Sequence, residues 1–229
     1  MELTVLSVTS RGIVTELTES GKYYSKDSYD IYINGEKYLT TDKVITSVNG
    51  LKPDTDYEVS AVYQGNTYGP VKVKTNYEYV TLNVREFGAV GDGEHDDTNA
   101  IQCAIMACPK DSRVLVPEGT FRIRSIFLKS DLTLELAKGA TLLAFTDREN
   151  FPILPGIIQS YDEKDEYNLG SWEGNPLDSF SAIICGINVQ NVVITGEGTI
   201  DGNTTHDNWW KNCKIRNIAW RPNLFFINH

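Results

Sequence analysis

A chain of 229 residues has room for one large domain or two modest ones. Its 41% hydrophobic and 23% charged composition is ordinary for a soluble globular protein, and no apolar run approaches the roughly 18 residues of a membrane-spanning helix. The formal charge of −10, without a basic patch or stripe, argues against nucleic acid and anionic membranes as partners.

The opening MELTVLSVTS has neither a basic start nor an apolar stretch, so no signal peptide is visible and a cytoplasmic location is favoured over a secreted one. Residues 1 to about 76 then read as short strands. Tyr29, Ile31 and Ile33 alternate with polar residues and end at Asn34-Gly35, a two-residue hairpin signal. Tyr57, Val59, Ala61 and Tyr63 alternate before Gln64-Gly65-Asn66, and Val71 and Val73 give a last strand. With no helical periodicity, this stretch predicts a small β-sandwich. Leu51-Lys52-Pro53-Asp54-Thr55-Asp56-Tyr57 resembles the L-x-P-x-T-x-Y signature of fibronectin type III domains, in which the Tyr hydroxyl bonds back to the backbone at a sheet corner. Tyr23, Tyr24, Tyr29 and Tyr32 are expected on its surface. A spacer beside an enzyme is favoured over a carbohydrate- or partner-binding module. The linker Lys74–Tyr79 holds neither Gly nor Pro, so the two domains are expected to pack rather than swing.

From Val80 the pattern changes. Asp96 or Asp97 is placed to cap a helix on which Ile101, Ala104, Ile105 and Cys108 share one face, and Pro109 closes it. Such a helix can cover the first open coil of a solenoid. Val114–Val116, Phe121–Ile123, Ile126–Leu128, Leu132–Leu136, Leu142–Leu143 and Val192–Ile194 follow as strands, separated by turns such as Pro117-Glu118-Gly119 and Lys138-Gly139-Ala140. Their lengths predict parallel β-helix coils of roughly 20 to 30 residues. Cys103, Cys108, Cys185 and Cys213 follow no metal-ligand spacing and are expected as buried thiols.

The runs FGAVGDG (87–93), DDTNAIQ (96–102), VPEGTF (116–121) and LKSDLTL (128–134) resemble the amino-terminal signature of pectin-degrading β-helix proteins. VVITGEGTIDG (192–202), Trp209-Trp210 and Arg221-Pro222-Asn223-Leu224 resemble glycoside hydrolase family 28, the polygalacturonases. Gly170-Ser171-Trp172-Glu173-Gly174, together with the amino-terminal module, is closer to bacterial exo-acting members. The resemblance implies an all-β chain: a fibronectin III-like sandwich over 1–76, then from 80 to 229 the first coils of a right-handed parallel β-helix with an amino-terminal capping helix.

It also implies inverting hydrolysis of α-1,4-linked galacturonate in pectin or polygalacturonate, without a metal or other cofactor. Clustered aspartates on N-T-D, D-D, G-H-G and R-I-K motifs carry that chemistry in the family. No G-H-G, N-T-D or R-I-K occurs here, and the one Asp-Asp pair, Asp96-Asp97, belongs to the capping helix. The chain is therefore expected to be truncated before the catalytic coils and inactive alone, with the catalytic residues downstream of His229. A non-enzymatic, adhesin-like β-helix and a polysaccharide lyase on the same fold are the rivals.

Several residues invite a functional assignment. Asp92, Asp96 and Asp97 could form a carboxylate site, but turn and cap duties suit them better. Asp201 fits a corner, His206-Asp207 a polar loop, and Glu163, Asp165 and Glu166 a solvated loop rather than a cation site. Trp209-Trp210 suits the solenoid wall. Trp172 and Glu173 are the candidates for sugar contact, since a Trp between glycines can stack on a sugar face. Among Lys211, Lys214, Arg216 and Arg221, Arg221 is the candidate for a uronate carboxylate. A last coil at Phe225-Phe226-Ile227 would expose strand edges and apolar surface, favouring self-association.

Overall fold

The computed structural model describes residues 1–18, 23–159, 166–172 and 175–228, and the chain divides into two compact units, Met1–Tyr79 and Val80–His229. In the first unit the strands are β1 (Glu2–Val8), β2 (Gly12–Thr18), β3 (Tyr24–Ile33), β4 (Glu36–Lys43), β5 (Ile45–Asn49), β6 (Asp56–Tyr63) and β7 (Asn66–Lys74). They form antiparallel sheets ordered β1-β2-β5 and β4-β3-β6-β7. One core joins both, with Leu3, Ile13, Leu17 and Val48 from the first sheet meeting Ile31, Val59 and Ala61 from the second. Asn34 (φ 52°) and Gly35 (φ 81°) turn β3 into β4, because a two-residue hairpin matching strand twist needs positive φ at both positions.

At the sheet corner the Lys52 amide donates to the Tyr57 hydroxyl at 2.9 Å. Tyr29 departs from expectation. It is 1% exposed, packs edge-on against Tyr63 and donates its hydroxyl to the Lys43 carbonyl at 2.6 Å. The alternation that buries Ile31 also points Tyr29 inward, and burial raises its pKa. Tyr32 is half-buried, while Tyr23 and Tyr24 are exposed.

The second unit runs β8 (Thr81–Asn83), β9 (Asp92–Asp96), α1 (Thr98–Ala107), β10 (Arg113–Val116), β11 (Gly119–Ile123), β12 (Ile126–Phe127), β13 (Leu132–Leu136) and β14 (Ala140–Ala144). Short pieces follow: β15 (Ile153–Leu154), β16 (Ile157–Gln159), β17 (Glu166–Asn168), β18 (Ser171–Trp172), β19 (Asn175–Pro176) and β20 (Ser179–Phe180). The regular pattern resumes with β21 (Ile184–Ile187), β22 (Val192–Gly196), β23 (Thr199–Asp201) and β24 (Phe225–Asn228). Three parallel sheets result, β8-β10-β13-β22, β9-β11-β14-β23 and β12-β21-β24. This is the right-handed parallel β-helix.

Registers between coils stack the side chains. Leu82, Val114, Leu134 and Ile194 form one inward ladder, and Phe121, Leu142 and Ile200 another. Val114, Leu134, Phe121 and Leu142 have no solvent exposure, and burying each such side chain is worth about 1.5–3 kcal/mol. Corners stack as well, with Asn191 donating to the Asp131 carboxylate of the preceding coil at 2.9 Å. Helix α1 lays Ile101, Ala104 and Ile105 into the same core.

Asp97 is the N-cap residue, yet its buried carboxylate accepts the Val90 and Gly91 amides at 2.7 and 3.0 Å. It is Asp96 whose carboxylate accepts the Thr98 amide at 3.1 Å. Coil length also differs from expectation. Arg113 faces Thr133, a step of 133 − 113 = 20 residues, but Leu132 faces Val192, a step of 192 − 132 = 60. The difference is an insert whose β15–β20, β16–β17 and β18–β19 pairs are antiparallel and lie outside the coil register. Of the cysteines, Cys108 and Cys185 are buried but Cys103 and Cys213 are exposed. Burial pushes the Cys185 thiol up to about 11.

Among the described glycines the closest approach is at Gly196, where φ is +110° and a Cβ would sit 2.0 Å from the Leu136 carbonyl oxygen. Gly196→Ala should therefore cost about 3 kcal/mol or more, through backbone strain and displacement of β22. Denaturant unfolding of the second unit measures this, and an unchanged midpoint would contradict the stacked register.

Candidate functional site

Where the insert leaves the solenoid, Phe151 and Phe180 flank Trp209 with ring centroids 5.3 and 5.6 Å from the indole. All three rings meet edge to face, and Trp209 is 1% exposed. The Arg148 guanidinium sits 4.8 Å from the Trp209 ring centre and donates to the Asn208 and Trp209 carbonyls at 3.1 and 3.0 Å. It thereby fixes the backbone that carries the next residue. Trp210 is 47% exposed, with the Arg221 guanidinium 4.5 Å from its ring centre. Arg221 also donates to the Cys213 carbonyl at 3.0 Å.

Trp210 and Arg221 stand between two cavities. One of about 440 Å³ is bordered by the insert residues Leu154, Leu169 and Gly170, by Ser179–Ala182, and by Trp220 and Phe226. The other, about 220 Å³, is bordered by Ile183, Gly202, Thr204, Trp209 and Leu224. Both share Trp210, Arg221, Pro222 and Asn223. Aromatic faces beside a few convergent polar groups suit a sugar, whose rings are apolar on one face and rimmed by hydroxyls.

The structure brings Arg221 to this place, but not the other basic residues of its cluster. Lys211 borders a separate polar cleft of about 460 Å³ with Asp147, Glu149 and Asp207, while Lys214 and Arg216 are exposed. Trp209 is part of the wall, whereas Trp210 is not. The backbone of Trp172 pairs with Asn175 in the insert. Glu173, Glu163 and Asp165 lie outside the described residues. Asp201 accepts the Asn203 amide at 2.7 Å in a corner, and Asp207 donates its amide to the Thr205 hydroxyl at 3.2 Å in a loop.

The other two candidate carboxylates, Asp92 and Asp96, have structural partners. Asp96 is ion-paired with Arg124, which also meets Asp147 at 3.2 Å. Asp92 accepts the Glu94 and His95 amides, each at 2.9 Å, and pairs with His95 Nδ1 at 2.5 Å. These backbone amides, with the imidazole, hold Asp92 down to about 2, and the carboxylate raises His95.

The fold defines the class as a pectate lyase-like right-handed parallel β-helix. Residues 81–143 match the family described as rhamnogalacturonase A/epimerase, pectate lyase-like. Over 162 residues the chain is 36% identical to the exo-poly-alpha-D-galacturonosidase of Dickeya chrysanthemi, covering 68% of this chain and 26% of that protein. It is 37% identical over 117 residues to the plasmin and fibronectin-binding protein A of Streptococcus pneumoniae, covering 49% of this chain and 15% of that one. The Yersinia enterocolitica family 28 exopolygalacturonase superimposes with a TM-score of 0.61 at 27% identity, over 88% of this chain and 41% of that structure. The chain thus spans about a quarter of the length of the Dickeya relative. Its second unit carries a pectate lyase-like domain whose homologues and structural neighbours include exo-polygalacturonases.

The Asp92–His95 pair gives a local pH dependence. Its support is complete between the ordinary carboxylate and imidazole values of 3.8 and 6.5. It is lost as pH rises through the raised His95 value, and again as pH falls through about 2. An NMR titration should place the His95 midpoint above that of a free imidazole, and Asp92→Asn should bring it back; equal midpoints would refute the pair.

Proposed function

We propose that this chain is the amino-terminal, non-catalytic portion of an exo-acting family 28 polygalacturonase that hydrolyses α-1,4-linked galacturonate with inversion. The likeness to the Dickeya exo-poly-alpha-D-galacturonosidase, 36% identity over 162 residues, carries this assignment. Inverting hydrolysis needs a carboxylic acid on the leaving oxygen and a carboxylate opposite that activates water, roughly 6.5–9.5 Å apart. Asp96 and Asp97 are occupied by Arg124, Thr98 and the Val90–Gly91 amides, so neither is assigned to that pair. The acid and base belong to further coils bearing the family's N-T-D, D-D, G-H-G and R-I-K motifs. The first unit serves as a spacer, and the Lys52–Tyr57 corner bond supports a fibronectin III-like fold for it.

A second assignment, an adhesive β-helix without catalysis, is favoured by the 37% identity to the Streptococcus pneumoniae plasmin and fibronectin-binding protein. Two measurements separate these. Incubated with polygalacturonate, the 229-residue chain should release no reducing ends and no ultraviolet-absorbing unsaturated product; turnover would overturn the non-catalytic assignment, and an unsaturated product would indicate a lyase. Sequencing the gene onward should reveal the G-H-G and R-I-K motifs, and an open reading frame lacking them would shift the assignment to the adhesive form.

A further inference from the structure

Strand β12 is the outer strand of the sheet β12-β21-β24, so no strand lies along its first edge. Its amides divide between two directions. Ile126 and the following Leu128 donate to the Ile183 and Cys185 carbonyls of the next coil at 2.8 and 2.7 Å. Phe127 bonds the opposite way, to helix α1. There Gln102 Oε1 accepts the Phe127 amide and Gln102 Nε2 donates to the Phe127 carbonyl, each at 2.8 Å. A carboxamide carries the same donor and acceptor as a peptide group, so this one side chain makes the pair of bonds that a neighbouring strand would supply.

The bonding continues a ladder that begins in β9. Asp96 faces Arg122 in register, and the Asp97 amide then donates to the Arg122 carbonyl at 2.9 Å. From there side chains take over from backbone. The Thr98 hydroxyl accepts the Arg124 amide at 2.9 Å, and Gln102 meets Phe127. Residues 98 and 102 are four apart and share one helix face, which lets a helix imitate a strand over one turn. Lys129 closes the row by donating to the carbonyl of Cys108, the C-cap residue, at 2.5 Å. These polar residues are a different set from Ile101, Ala104 and Ile105, which fill the core.

We infer that Thr98 and Gln102 are a surrogate strand that closes the first edge of this coil against strand pairing with a second copy of the chain. Unpaired N–H and C=O groups along a strand edge are a template for such pairing, and leaving them without partners is costly. The helix thus has two separable duties: an apolar face covers the core, and a polar pair occupies the backbone groups of the coil from Arg124 to Phe127.

Hydrogen exchange at three adjacent amides tests this in Gln102→Ala of the 229-residue chain. Ile126 and Leu128 bond to the next coil and act as internal controls. In dilute solution the Phe127 amide should exchange about tenfold faster than in the unmutated chain, with both controls unchanged. At higher concentration, sedimentation should show association beyond that of the unmutated chain, and protection of Phe127 should return in the associated species. The milder Thr98→Val should speed exchange at Arg124 and leave Phe127 as it was. Unchanged exchange at Phe127, equal acceleration of all three amides, or association no greater than that of the unmutated chain would each overturn the inference.

Discussion

In a stack of parallel coils, a strand's backbone donors and acceptors are met by the coil above and the coil below. Register between coils is therefore the condition on which the second unit depends. Side chains alternate with period two, so a slip of one residue in β13 would turn Leu132, Leu134 and Leu136 outward and bring Thr133 and Glu135 into the core. The ladder from Leu82 through Val114 and Leu134 to Ile194 excludes that slip. Gly196 tightens the condition further, since the Leu136 carbonyl occupies the space a larger residue would need.

The candidate site inherits its rigidity from this stack. Phe180 belongs to β20 at the base of the insert, just before the strands resume at Ile184, and Phe151 enters from the other side of the same base. Trp209 fills the space between them, which leaves its neighbour Trp210 turned outward. Arg148 and Arg221 then set the electrostatics of the corner. Their guanidinium groups hold their positions through backbone carbonyls and indole faces, Arg148 at the edge of the cleft that Asp147, Glu149 and Asp207 border and Arg221 at the two cavities beside Trp210.

Much of this is legible in the amino-acid order because short-range chemistry fixes it. Asn34-Gly35 is readable because few residue pairs accept positive φ twice, and the coils are readable because alternating aliphatics recur at short turns. Tyr29 reads as a surface residue by type because a phenol suits either side, although its alternation with Ile31 assigns it to the core. Arg148 gives no signal of its own, since its partners lie 60 and 61 residues further along the chain. The strands inside the insert hide for a related reason, although Gly170–Gly174 marks an insert in the sequence: at two or three residues they are too short to show a period. The sequence leaves Asp96 and Asp97 equally suited to cap the helix because the amide donors that engage Asp97, Val90 and Gly91, precede it around a turn.

The 60-residue step between Leu132 and Val192 leaves the pairing of β13 with β22 unbroken over all five residues. The solenoid thus tolerates a long excursion between two turns without altering how those turns fit. Loops at this seam can be lengthened, shortened or exchanged between related proteins while the scaffold stays constant. Selection can therefore reshape what borders the Trp210 cavity without reopening the question of how the chain folds.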